Sequence, residues 1–229
     1  MAPKPPREAG QMLLIAAVLM AVSAVLHPLL PEDSSRMARL ILDAGHYWLL
    51  VHVMFGAGLM FALGGIRHGT AWVPVGLGKG RLPTLACLYV GPALLVLVIF
   101  MEITVLLADA PAAATGEALA ARDHGRVFDV AAAVFHAGTA ITILGLALWC
   151  VAARSLPGLA RWWAVLGALA SPFAFSAAVA ATAFDAPWTL IIGIPALVYV
   201  VASLAGLGAI LVWGGAAGPR RWAPRHAEG

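Results

Sequence analysis

The chain has 229 residues, of which 62% are hydrophobic and only 11% charged, with a mean hydropathy of +0.93 and a formal net charge of +3. A soluble domain carries about 25% charged residues, so the composition excludes an ordinary soluble fold and describes a chain that lies mostly in lipid. The length divides into about six spans of ~20 residues with short connections, which leaves no room for a separate soluble domain.

In chain order, residues 1–10 form a Pro-rich, charged tail. Span one covers about 11–30. Its apolar run is too long for a cleaved signal, and no small-residue cleavage site precedes His27-Pro28. Proline at 28 removes a backbone donor and ends or bends the helix. In Pro31–Gly45, Asp33 or Ser34 caps a short amphipathic helix with Met37, Leu40 and Ile41 on one stripe. It reads as a helix lying on the membrane surface. Span two is about 46–66, with Tyr47 and Trp48 at its start as in an aromatic belt.

The Gly-rich loop that follows contains Gly76-Leu-Gly-Lys-Gly80, which lacks both the preceding strand and the Lys-Ser/Thr ending of a phosphate loop. Span three is about 84–108 and carries Glu102. Thr115 is placed to cap a second short surface helix that ends before Gly125. Spans four, five and six cover about 125–153, 162–183 and 188–213, with kinks expected at Pro172 and Pro195. The tail 214–229 is basic. The fold class expected is therefore all-α: a polytopic, integral membrane six-helix bundle of residues 11–213 with two short extracytoplasmic interfacial helices.

Lys4, Arg7, Arg67, Lys79, Arg81, Arg154, Arg161, Arg220, Arg221 and Arg225 fall on one side of this topology. Arg36, Arg39, Arg122 and Arg126 fall on the other, interleaved with most of the acids. Basic residues collect on the cytoplasmic side, so both termini are expected there, in the inner (plasma) membrane. The basic balance is a topology signal and not a nucleic-acid surface. Cys87 and Cys150 lie at cytoplasmic span ends, where a structural disulfide is not expected.

The ionisable residues collect towards the opposite side. Asp129 and His136 are seven apart on span four, on one helical face and ~10 Å apart along the axis. Glu102 is near the outer end of span three, and His27, His46, His52, His124, Asp109 and Asp185 are on the same side. Ionisable groups at membrane depth are costly and mark functional sites by default. An ionised carboxylate at Glu102 requires a partner; without one it takes up a proton and stays neutral. The faces Trp48–His52–Phe55, Glu102–Asp109 and Asp129–His136 are the expected walls of a polar cavity opening outward.

A carboxylic acid kept neutral in apolar surroundings is a general acid. Glu102 is the expected proton donor, with Asp129 or His136 as base or relay and His52 as a further catalytic candidate. Phe55, Phe100, Phe128, Phe135, Trp48, Trp188 and Tyr199 offer aromatic faces that stabilise a carbocation. The reading is a membrane enzyme that protonates an apolar or isoprenoid-like substrate, calls for no cofactor, and is compatible with a homo-oligomer. In concept this is similar to the integral-membrane terpene cyclases, by analogy of chemistry and not of motif. Two alternatives stand beside it: a metal or haem site using His52 and His136, and a non-enzymatic transporter or scaffold subunit. Leu26-His27-Pro28 followed by Trp48-x-x-x-His52 resembles small six-span bacterial integral membrane proteins of uncharacterised activity. The resemblance implies the plan of the chain and carries no reaction with it.

Overall fold

The computed structural model describes residues 7–28, 30–31, 33–69, 80–153, 159–183 and 188–213, with the backbone alone at 152–153, 159–160 and 188–190. Both terminal tails beyond these limits, the GLGKG segment up to Lys79, Asp185 and the side chain of Trp188 lie outside the described residues.

Among the described residues seven α-helices follow in order: α1 Arg7–Leu26, α2 Ser34–Gly69, α3 Arg81–Met101, α4 Leu107–Ala114, α5 Ala118–Ala153, α6 Leu159–Ala181 and α7 Trp188–Trp213. A π-helical turn, Glu102–Leu106, joins α3 to α4. Six helical stretches are long and apolar enough to cross a membrane, with α3, the π turn and α4 counting as one. Their outward faces suit lipid: Leu50, Met60, Phe100, Leu169 and Phe173 are all exposed. This makes the chain a multi-pass helical bundle.

Helix α1 shows how the sequence sets the packing. Ala9, Leu13, Ala16, Ala17 and Met20 recur at three- and four-residue spacing, which is one stripe of a helix, and all are buried. That stripe seats α1 between α2 and α7. The ring continues with α3 beside α2, α5 beside α3, α6 beside α5 and α7 beside α6, while α5 also reaches α7 across the middle. Small residues let the backbones approach. A Cβ on Gly91 of α3 would stand 2.7 Å from both the Gly138 carbonyl and the Thr142 nitrogen of α5. Inside the ring, an apolar void of about 10 Å³, lined by Met20, Leu59, Leu88, Leu95, Thr142 and Val200 among others, is about the size of one water.

The two expected surface helices take a different form. Asp33 caps α2, accepting from the Arg36 nitrogen at 2.8 Å and the Ser35 hydroxyl at 2.6 Å. Helix α2 then runs on from Ser34 into span two, bent only at Gly45, where φ is 25° and ψ is −95°. The second helix does not end before Gly125: α5 continues through it for 36 residues, or ~54 Å against a hydrocarbon core of ~30 Å. Nor is Thr115 its cap. The Thr115 hydroxyl donates back to Ala112 at 2.7 Å, and Gly116 turns the chain at φ 82° before α5 begins. Gly125 is explained by packing, since a Cβ there would lie 2.5 Å from the Ser34 hydroxyl oxygen. The first part of α2, α4 and the start of α5 thus form one layer at the α1–α2 end of the bundle, around Leu30, Met37, Ile41, Leu106, Ala110 and Phe128.

Candidate functional site

Between this layer and the main core sits a group of polar and aromatic side chains. Past the Gly45 bend, Trp48, His52 and Phe55 follow at spacings of four and three, so all three point the same way from α2. All are buried. From α3, Glu102 arrives as the first residue of the π turn; such turns widen the helix and recur at functional sites. The Trp48 indole lies at the limit of hydrogen-bond reach, 3.5 Å, from the Glu102 carbonyl.

The centre is a contact of 3.1 Å between His52 Nε2 and Glu102 Oε2. His52 Nδ1 is 2.7 Å from the Trp48 carbonyl oxygen. A carbonyl only accepts, so Nδ1 carries a hydrogen and donates it. That fixes the role of Nε2. It either accepts from a protonated Glu102 carboxyl or, as imidazolium, donates to the carboxylate. In both arrangements one proton lies on the line between the two residues and the pair is neutral as a whole. The exposure of the side chains is 2% for His52 and 14% for Glu102, so the proton is held almost out of solvent.

His27 completes the group. It follows the last turn of α1, is half-buried, and sets its Nδ1 2.9 Å from the Pro28 carbonyl. Its ring is 5.3 Å from that of His52, edge to face, and 5.5 Å from that of Trp48. Trp48 stacks on His52 at 4.2 Å. Burial, and next the neighbouring His52, hold the His27 imidazole below its ordinary value of 6.5, opposed by Glu102 and by the Pro28 carbonyl.

The other candidates distribute differently. His136 is buried on α5, with its ring 5.4 Å from Phe135 and its Cε1 3.0 Å from where a Cβ on Gly193 of α7 would stand. Asp129, on nearly the same helical face, is exposed. The face is covered by α7 at the level of His136 and uncovered at Asp129. Asp109 and His46 are exposed, and Phe100 points out of the bundle at 63% exposure. Phe55 and Phe135 pair at 6.1 Å, and Phe128 packs in the same cluster as Trp48. Tyr199 is buried elsewhere, donating its hydroxyl to the Gly167 carbonyl of α6 at 3.1 Å.

His124 is fully buried, and neither ring nitrogen has a hydrogen-bond partner among the described residues. The sequence gives no sign of this, because an imidazole near a helix start reads as an interfacial residue. Among the described residues no group of three or more His, Cys, Asp or Glu side chains is arranged to hold a metal ion. Both ring nitrogens of His52 are engaged, so a role as metal or haem ligand would require breaking one of these contacts.

Fold and site together define a multi-pass helical bundle with a buried imidazole paired to a partly buried carboxyl. No family model matches the chain, and neither the curated proteins nor the solved structures contain a significant match.

Proposed function

We propose that the protein is a membrane-embedded enzyme that acts on an apolar or isoprenoid-like substrate by general acid catalysis, with Glu102 delivering the proton. The observation that carries this is the 3.1 Å contact between Glu102 and a His52 whose other nitrogen is committed to a backbone carbonyl. A proton held in that way, in apolar surroundings, is available to a reacting carbon without competition from water. Glu102 protonates one carbon of an alkene. The carbocation is met by the aromatic faces of Trp48, Phe55 and Phe135. Loss of a proton from a neighbouring carbon to the Glu102–His52 pair restores the pair, so isomerisation or cyclisation consumes no net proton and needs no cofactor. The bilayer is the source of the substrate. Both termini are cytoplasmic on this reading and the pair lies towards the extracytoplasmic face, following the basic residues at 67, 81, 154 and 161.

A second reading, a proton-coupled carrier, draws on one observation: Trp48 and His52 are almost fully enclosed, so any cycle must open and close the site. The experiment compares membranes carrying the wild-type chain and Glu102→Gln. Lipid mass spectrometry is expected to find an isomerised or cyclised lipid with the wild type alone, at equal levels of folded protein. A fully active Glu102→Gln variant removes Glu102 from the mechanism. Proton-linked flux in liposomes, without any altered lipid, would replace the enzyme by the carrier.

A further inference from the structure

We infer that His27 is the port through which the Glu102–His52 pair exchanges its proton with the medium at the α1–α2 end of the bundle. This rests on the pair being a working acid, as proposed above.

Position is the first argument. His52 is enclosed at 2% exposure, and Glu102 at 14% is only partly open. His27 lies outside the helices, in the segment between α1 and α2, half-buried, with its ring edge-to-face against His52 at 5.3 Å. It is the imidazole placed to touch both the medium and the pair.

Orientation is the second. The Pro28 carbonyl occupies His27 Nδ1 at 2.9 Å, so neutral His27 carries its hydrogen there and Nε2 holds the lone pair. His52 is fixed in the same tautomer by the Trp48 carbonyl. In both rings it is therefore Nε2 that gains and loses the proton.

Charge is the third. The titratable groups that act on His27 are His52, which disfavours its charge, and Glu102, which favours it. Tyr47, whose hydroxyl donates to the Leu26 carbonyl, adds no charge. While His52 carries the pair's proton, it disfavours a second charge on His27. Whenever Glu102 gives up its proton and no substrate proton returns to the pair, the bare carboxylate draws a proton from the medium onto His27 Nε2. The transfer is balanced: imidazolium at His27 plus neutral His52 and Glu102 carboxylate become neutral His27 plus the reloaded pair. His27 touches no substrate in this scheme and acts through His52.

The test reads proton exchange directly, on the full chain in liposomes. Infrared difference spectroscopy follows the carboxyl band that Glu102→Gln removes, after rapid transfer into heavy water. His27→Gln is expected to slow exchange of that band by about 10²-fold, with recovery on addition of free imidazole. A merely structural His27 would give no such rescue. Unchanged exchange, or slowing that imidazole does not relieve, overturns the port.

Should His27→Gln fail to fold, the wild-type chain carries the same test. Diethyl pyrocarbonate modifies accessible imidazoles, and peptide mass spectrometry reports His27 itself. Exchange is expected to slow in step with modification at His27. A modified His27 with normal exchange, or a His27 that the reagent never reaches, overturns the inference. If the wild type shows neither an exchangeable carboxyl band nor an exchangeable imidazolium band that depends on Glu102, the acid pair itself is refuted, which is a separate result.

Discussion

A carboxyl at the depth of Glu102 is neutralised either by keeping its proton or by facing a cation, and His52 offers both. Removing one partner leaves the other enclosed and uncompensated, so His52→Ala and Glu102→Ala are each expected to destabilise by about 3–5 kcal/mol. The double substitution is expected to cost clearly less than the sum, because the second change removes the stranded group. Unfolding in mixed micelles measures all three, and strict additivity would mean the 3.1 Å contact contributes nothing. At His27 the sign of the pH effect follows from burial. Its folded-state value lies below the ordinary 6.5, so the unfolded chain binds the proton more readily and stability rises with pH. The contribution is intact above 6.5 and is lost as the pH falls below it. Melting temperatures between pH ~7.5 and ~5 are expected to drop more for wild type than for His27→Gln. The sequence pointed to Glu102 and His52 because both are ionisable, deep, and on apolar spans. It placed Asp129 with them because seven residues return a helix to the same face. Whether a neighbouring helix covers that face at each level is not written in the helix's own residues, and here α7 reaches His136 and leaves Asp129 exposed.

At the scale of elements, apolar periodicity marks the spans, and the structure departs from it at the glycines. Gly125 reads as a helix end, yet it costs only ~1 kcal/mol inside a helix and is used for close approach to Ser34. Gly45 reads as the end of a surface helix, yet it is a bend within α2. No atom lies within 4 Å of where a Cβ at Gly45 would be, so space does not require glycine there. The backbone does, since φ is 25°. Gly45→Ala is therefore expected to destabilise by about 1–3 kcal/mol through strain alone, or to straighten α2 and pull Met37 and Ile41 away from Leu106 and Ala110. The two outcomes separate by hydrogen exchange along the whole of α2: strain raises it on both sides of Gly45, whereas straightening raises it on residues 34–44 only. An unchanged melting temperature and exchange pattern would show that the bend is not built into the packed protein. The π turn at Glu102 has no signal in the sequence, because it is a one-residue slip in a helix that is apolar on either side of Glu102.

At the scale of the whole molecule, the decisive question is which medium meets the α1–α2 end. The described residues there include Arg36, Arg39, Arg122 and Arg126, diluted by acids such as Asp123, whose carboxylate is 3.6 Å from Arg126 at the exposed surface. Arg7, Arg67, Arg81 and Arg161 lie at the opposite end. Acids count for little in setting orientation; over the full sequence ten basic residues belong to the side of Arg7, Arg67, Arg81 and Arg161 against four on the other, and on the proposed reading that imbalance makes the opposite end cytoplasmic. Thr115, exposed in the α4–α5 turn, and His68, exposed at the far end of α2, are suitable reporters. In a Cys87→Ser, Cys150→Ser background, an impermeant maleimide added to intact cells is expected to label Thr115→Cys. His68→Cys is expected to react only after the membrane is opened. The reverse pattern would put His27 and the acid pair on the cytoplasmic side. The port would then be loaded from a medium whose pH the cell holds steady, and the His27-dependent loss of stability in acid would have no counterpart outside the cell. Labelling as expected leaves the pair facing a medium of variable pH, where on the inference above the half-buried imidazole of His27 sets how quickly the pair exchanges its proton with that medium.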